Sequence, residues 1–396
     1  MHRDPADRGV IDSGTKTAAA VVVGGGVMGA STAFHLAKMG MTDVVLLEKE
    51  ANLGAMSTGQ CAGGIRHQFS SATNIKLSIE SIKMLEAFPE ETGQDIGLRF
   101  TGYLFLMTDP ADIPSQRDAV ALQHELGVDT EWLAPEDLAG LIPQVNIEGV
   151  IAGSFNEHDG ICDPNSVVQG YAKGARAAGV TILSDVEVTG FETTGDKVAV
   201  VHTSVGDIST EVVVLATGAW TPDLGRMLGV DIPIEPVRRQ IVVTTPTPGL
   251  QSGFPFVLFL KEALYFHPEG PGVLSGKSNP NERRGYLLDV DPEWEMVHLA
   301  EAMERLPLLE EVGVLSHWAG LYEITPDAHP IFGEVPQVKG VHVMAGFSGH
   351  GFMHGPICGL LMAEEILKGA PETVDVGEFA YERFLRGDLN PELNVV

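Results

Sequence analysis

Residues 18–29 read Ala-Ala-Ala-Val-Val-Val-Gly-Gly-Gly-Val-Met-Gly, and Val44-Val45-Leu46-Leu47-Glu48 follows soon after. No other feature restricts the fold of this chain as tightly. The unbroken apolar run from Ala18 to Val23 suits a strand buried on both faces of a parallel sheet. It leads directly into Gly24-x-Gly26-x-x-Gly29, and the spacing predicts a helix from Val27 to Met39. Small residues (Ala30, Ala33, Ala37) fall where that helix must lie close to the sheet, and Gly40 marks its exit. Gly24 permits the tight turn. Gly26 lets a pyrophosphate approach the backbone at the helix N-terminus, where N–H groups and the dipole favour anions. A second strand ends in Glu48, at the distance where an acid binds a ribose 2′-hydroxyl. Strand, turn, helix, strand and terminal acid in this order point to a bound adenine dinucleotide. The competing reading, a glycine-rich turn in an ordinary α/β protein, leaves Glu48 unexplained.

The chain has 396 residues, enough for two domains with separate cores. No apolar stretch approaches the ~18 residues of a membrane span. The first residues, with Asp4, Asp7 and Asp12 among them, lack the apolar core of a signal peptide and read as a disordered tail over 1–17. Three widely spaced cysteines (Cys61, Cys162, Cys358) form no Cys-x-x-Cys, which fits a reducing cytoplasm and argues against a disulfide framework or a zinc site. A net charge of −29 opposes nucleic-acid binding. His350 and His354 are spaced i,i+4, but glycines surround them and the helix is expected to start after them, so they are not read as a metal site.

Two further segments look like parts of the same nucleotide domain. A helical pattern from about residue 166 leads to a strand at 179–183, and Val212–Leu215 is a buried strand ending in Ala216-Thr217-Gly218-Ala219-Trp220. Gly340–Ala345 is another strand, feeding Gly346-Phe347-Ser348-Gly349-His350-Gly351-Phe352-Met353; the helix beyond has Pro356 placed like an N1 proline and Gly369 as its stop. Residues 76–155 hold an amphipathic helix (Leu77 to Phe88), a strand (Gly102 to Met107) and a helix (Ser115 to Leu126). Residues 228–317 are rich in alternating β-branched and aromatic residues. The expected architecture is α/β (α+β overall). A Rossmann-type domain is assembled from the discontinuous segments 18–75, 156–227 and 318–396. A substrate domain built on an antiparallel sheet, 76–155 with 228–317, is inserted into it.

The chain resembles the D-amino-acid-oxidase-like flavoenzymes, in particular the branch of sarcosine oxidase β subunits, archaeal L-proline dehydrogenase β subunits and the mitochondrial FAD-dependent oxidoreductase-domain proteins. The carriers are Val23–Gly29, the loop Ser57-Thr58-Gly59-Gln60-Cys61-Ala62-Gly63-Gly64-Ile65-Arg66-His67-Gln68-Phe69, Thr101–Leu106, Ala216–Trp220, Trp318-Ala319-Gly320 with Thr325-Pro326-Asp327, and Gly346–Met353. The resemblance implies FAD rather than NAD, and three separated glycine-rich strand ends converging on one site agree with it. It implies that Gly24, Gly26, Val27, Met28 and Gly29 cradle the pyrophosphate, that Glu48 and Lys49 lie at the adenosine ribose and that the Val188 backbone lies near the adenine. Ser57, Thr58, Gln60, Ala62 and Gly63 would flank the ribityl chain and ring, with Ala216, Thr217, Gly218, Trp220 and Gly320 completing the site. Gly346, Ser348, Gly349, His350, Gly351, Phe352 and Met353 would present a turn to the flavin N1/C2=O edge, stabilising the negative charge of the reduced ring.

On the substrate side the resemblance gives Arg66 the carboxylate, as a guanidinium suits that geometry. It places Tyr265 and Tyr322 in the pocket wall. A structural salt bridge competes for Arg66, and core packing for the tyrosines. His350 is read either as tuning the flavin or as a backbone-anchoring imidazole. Where monomeric sarcosine oxidases tether FAD through a cysteine, this chain has Gly320. Where they hold an oxygen-activating lysine it has Leu274, with Lys277 offset, and Met353 replaces a second carboxylate-binding lysine. Pro164 replaces the histidine that tethers FMN in heterotetrameric enzymes. The expectation is non-covalent FAD and oxidation of a secondary or N-methylated amino acid, sarcosine- or proline-like, to an imine. The acceptor would be oxygen or a carrier, and partner subunits or a homo-oligomer are allowed. A 2-hydroxy-acid dehydrogenase on the same fold and a non-catalytic flavin-bearing assembly factor are the rivals. The mitochondrial proteins lack the arginine found at Arg66, which favours catalysis.

Overall fold

A computed structural model describes residues 16–251 and 253–395. In it the apolar runs stand side by side in a six-stranded sheet, in the order Ile331–Glu334, Val341–Ala345, Val213–Leu215, Ala20–Val23, Val44–Leu47, Thr181–Leu183. The last five are parallel and Ile331–Glu334 runs antiparallel. Val23 pairs with Leu47 and Leu215, and Leu215 with Val343, so the carboxyl ends are level. Gly24, Glu48, Ala216 and the turn after Ala345 therefore share one edge, where open α/β sheets bind ligands. Ala20–Val23 and Val44–Leu47 are buried throughout, as continuous apolar runs require.

The helix Val27–Lys38 covers one face of this sheet and is itself covered by Pro164–Ala177 and Gly351–Lys368. The opposite face packs on a four-stranded sheet of Lys16–Thr17, Gly206–Ser209, Lys197–Thr203 and Val188–Thr194. Lys16 and Thr17 pair in register with Ile208 and Ser209, which corrects the tail expected over 1–17 at its last two positions; residues 1–15, with their aspartates, lie outside the described residues.

The eight-stranded sheet runs Val314–Ile324, Glu235–Thr244, Gly272–Lys277, Leu264–Glu269, Phe256–Phe259, Tyr103–Met107, Ala152–Asn156, Glu131–Leu133. Every pairing is antiparallel except Phe256–Phe259 with Tyr103–Met107, which joins the two inserted stretches in parallel. Two features differ from the boundaries drawn on the sequence. Val314–Ile324 runs across position 318. The helix Ala72–Thr92 sends Ile75, Leu77, Ile82, Leu85 and Phe88 into the core of the first sheet's helical layer, because its apolar stripe faces Gly351–Lys368.

The last long helix also begins earlier than its proline suggests. It spans Gly351–Lys368, so Pro356 lies inside it rather than at N1, and Gly369 ends it in the left-handed region. His350 is its N-cap residue and His354 lies within its first turns.

Candidate active site

A cavity of about 410 Å³ opens along the carboxyl edge of the six-stranded sheet. Gly24, Gly26, Val27, Met28, Glu48, Lys49, Ser57, Thr58, Val188, Ala216, Thr217, Gly218, Trp220, Gly349, Gly351 and Phe352 line it. Gly24 has φ +106°, and a Cβ there would lie 2.3 Å from the Ala216 carbonyl oxygen. Gly29 lies behind the cradle rather than in its lining: a Cβ there would sit 1.9 Å from the Gly24 oxygen, so it is the closeness of helix to turn that demands glycine. Glu48 directly follows the strand Val44–Leu47, where the spacing requires an acid. It accepts hydrogen bonds from the Gly25 N–H at 2.7 Å and the Glu50 N–H at 2.8 Å, while burial raises its pKa. Thr58 Oγ1 accepts from the Val27 N–H at 3.2 Å, tying the loop to the helix N-terminus. At the far end the Lys49 ammonium lies 3.8 Å from the centre of the Trp220 ring, a cation–π contact that builds one wall.

A second, smaller chamber of about 90 Å³ adjoins the first, and Ser57, Cys61, Leu321, Tyr322, Gly349 and Phe352 belong to both. Gln60, Ala62, Gly63, Arg66, Tyr265, Gly320, Tyr322, Ser348, His350 and Met353 line it, so the loop after Ser57 and the turn after Gly346 meet the second sheet here. Gly346 stands just behind, with φ +86° and its N–H donating to Glu323. The tyrosines come from the strands Leu264–Glu269 and Val314–Ile324, and Tyr103 and Phe256 stack at 4.1 Å beside them. Lys277 lies elsewhere: its ammonium pairs with Glu301 at 2.9 Å.

Arg66 is buried, with its guanidinium 3.9 Å from the Phe69 ring. It donates to the carbonyl of Gln68 and, at 2.5 Å, to that of Asn394. No carboxylate lies within ion-pair distance of it among the described residues. Among the described residues His350 has no hydrogen-bond partner at either ring nitrogen, so the backbone anchor expected as an alternative is not found among them; burial lowers its pKa.

Sequence reasoning missed Glu323, Arg239, Tyr103, Phe256 and Val395, near the end of the chain, all of which line the site. Glu323 follows Tyr322 on its strand, and no motif marks it. Its carboxylate accepts from the Gly346 N–H at 2.8 Å, and burial pushes its pKa up to about 7. A folded-state value above the ordinary 4.5 means that the folded protein binds the extra proton. The resulting stability is complete below pH 4.5 and is lost as pH rises through about 7. Glu323→Gln should therefore flatten the stability profile of the apoprotein over that window. At pH 8 it should gain on the order of 1–2 kcal/mol in denaturant unfolding. A tenfold change in proton affinity between folded and unfolded protein is worth about 1.4 kcal/mol, and water admitted by the cavity reduces the full effect. Parallel profiles for variant and wild type would contradict this.

Comparison with known proteins agrees with this geometry. The chain matches the family described as FAD dependent oxidoreductase over residues 19–365. It is 31% identical to human mitochondrial sarcosine dehydrogenase, over 93% of this chain and 41% of that protein. It is 30% identical to FAD-dependent oxidoreductase domain-containing protein 1 of Xenopus laevis, over 95% of this chain and 84% of that protein. The chain thus spans about two fifths of the sarcosine and dimethylglycine dehydrogenases it matches. The crystal structure of L-proline dehydrogenase from P. horikoshii superposes with a TM-score of 0.88 at 33% identity, covering 95% of this chain and all of that one.

The residues fit the cofactor of that family. The glycine cradle at a helix N-terminus suits a pyrophosphate, and Glu48 a ribose. At the inner end Gln60 Oε1 and both His350 nitrogens are buried polar atoms without partners, as groups that meet a polar ring edge would be. The fold, the shared edge of the sheet and the sequence match therefore lead to one conclusion: this chain belongs to the FAD dependent oxidoreductase family.

Proposed function

We propose that the protein oxidises a secondary or N-methylated amino acid, sarcosine- or proline-like, to the corresponding imine. The observation that carries this reading is the inner chamber. It adjoins the dinucleotide cavity, aromatic rings wall it, and among the described residues its charged lining groups are two arginines, Arg66 and Arg239, with no Asp or Glu. In a chain of net charge −29, a chamber lined among the described residues by two cations and no Asp or Glu favours an anionic ligand such as a carboxylate. Bound FAD supplies a two-electron acceptor for the hydrogen on the carbon next to nitrogen. The protein's part is to orient and to exclude water. Arg66 grips the carboxylate. Tyr265, Tyr103 and Phe256 give the hydrocarbon part an apolar wall, and Tyr322 lines both chambers where they meet. The chamber offers no carboxylate for a protonated amine, which favours an amine that reacts after losing its proton to solvent. The N–H proton and the hydrogen with its electron pair leave together with formation of the C=N bond, and water then hydrolyses the imine.

The same arginines could hold a 2-hydroxy acid, so product identity decides. With an artificial electron acceptor, the FAD-loaded protein should convert sarcosine to glycine and formaldehyde in equal amounts, or proline to the cyclic imine. It should leave pyrrolidine, which lacks the carboxylate, nearly untouched. Turnover of 2-hydroxy acids with no turnover of any amino acid would overturn the reading.

A further inference from the structure

Of the two cations in the inner chamber, one carboxylate accounts for Arg66. Arg239 lies on the strand Glu235–Thr244, beside Arg238 but in the opposite situation. Arg238 is buried against Glu282 at 3.1 Å and Asp291 at 3.2 Å. Arg239 instead donates to the Arg238 carbonyl at 3.0 Å, its Nε–H is buried without a partner, and its guanidinium lies 4.9 Å from the centre of the Tyr322 ring. Arg239 is half-buried and no acid pairs with it among the described residues, so a guanidinium drawn partly out of water gains from an anion that a ligand supplies. Its planar fork suits a carboxylate.

The two arginines are held by different parts of the fold, Arg66 by the loop after Ser57 and the C-terminal segment, Arg239 by the strand Glu235–Thr244 and the ring of Tyr322. Arg66 is fixed in place by Gln68, Asn394 and Phe69, so each guanidinium keeps its own position in the chamber wall.

We propose that Arg239 holds a second acidic group of the substrate, so that the chamber selects secondary amino acids carrying a second carboxylate. This rests on the amino-acid reading of the site and names its substrate class: N-substituted dicarboxylic amino acids, with one carboxylate on Arg66, the other on Arg239 and the C–N bond between them.

The test uses FAD-loaded protein and two unreactive probes, glutarate and butyrate, titrated against the visible flavin spectrum. Wild type should bind glutarate at least about tenfold more tightly than butyrate, as a charge-assisted pair requires. Arg239→Gln should bring glutarate to the butyrate level and leave butyrate unchanged. Arg239→Lys keeps the charge without the fork; it should retain part of the preference, and it serves if the glutamine variant does not fold. N-methylglutamate should likewise reduce the flavin at lower concentration than N-methylalanine in wild type but not in Arg239→Gln. Equal weakening of both probes would mean that Arg239 shares the single carboxylate, and no change in either would make it structural; each result overturns the proposal. If dicarboxylate preference holds but no amino acid reduces the flavin, the reaction reading fails and the assignment of Arg239 stands.

Discussion

Gly26→Val is expected to give a folded protein that has lost its FAD. Gly26 is the N-cap of the helix Val27–Lys38, in extended backbone (φ −71°, ψ −175°) that any residue adopts. A Cβ there would meet only Thr58 Oγ1, at 3.1 Å, a tight contact with one side-chain hydroxyl and none with backbone, so the fold can take a side chain once Thr58 shifts slightly. The cofactor cannot, because Gly26 lines the cavity where the pyrophosphate must touch backbone. Overpacking of that kind costs about 1–3 kcal/mol, or roughly ten- to hundredfold in FAD affinity. Gly29→Val makes the contrast: its Cβ would overlap the Gly24 oxygen, so folding itself should fail. Lys38→Ala, on the exposed end of the same helix, should keep full flavin content. The wild type should release all its FAD on acid precipitation, since Gly320 offers no tether and burial pushes the Cys61 thiol up to about 12, where it is a poor nucleophile. Stoichiometric FAD in purified Gly26→Val would show the pyrophosphate to lie elsewhere.

Arg66→Lys and Arg66→Ala should weaken flavin reduction by amino acids at least about tenfold in apparent affinity, at unchanged FAD content. Lysine keeps a charge but cannot stack on Phe69, hold two carbonyls and still present a fork to a carboxylate. Because Arg66 also ties down Asn394, next to the chamber residue Val395, the alanine variant should melt at a lower temperature as well. The lysine variant separates the two effects through the substrate: any residual flavin reduction by a carboxylate-free amine at high concentration should not distinguish it from wild type, whereas every carboxylate-bearing substrate should. Unchanged reduction by amino acids in both variants would leave Arg66 as a fastening for the C-terminal segment.

How much of this could be seen in the sequence depends on the range of the interaction. The strand, glycine turn, helix and terminal acid at 18–48 were legible because each is set by near neighbours: apolar runs, small residues at fixed offsets and a short strand. The convergence of Ala216–Trp220 and Gly346–Met353 on the same edge was legible too, since buried parallel strands ending in glycine have one place to go. The position of Glu323 was not. Its environment comes from Gly346, whose backbone reaches it only after two sheets pack. Arg239 and Arg238 are adjacent and chemically identical, and only the pairing of Glu235–Thr244 with both its neighbours decides which meets Glu282 and which the chamber. The helix Ala72–Thr92 has an amphipathic pattern that says it packs but not against what. Val395 enters the chamber because Glu392 accepts from Ser70 and Ser71 at the start of that helix, a contact across most of the chain.

The reaction itself is tested most directly by mixing the FAD-loaded protein, without oxygen, with a panel of secondary, N-methylated and primary amino acids, 2-hydroxy acids and carboxylate-free amines, and following the flavin absorbance. Secondary and N-methylated amino acids should bleach it, those with a second carboxylate at the lowest concentrations, and carboxylate-free amines should not. A flavin that stays oxidised with every amino acid, or that is bleached only by 2-hydroxy acids, would contradict the assignment of this site to amino-acid oxidation.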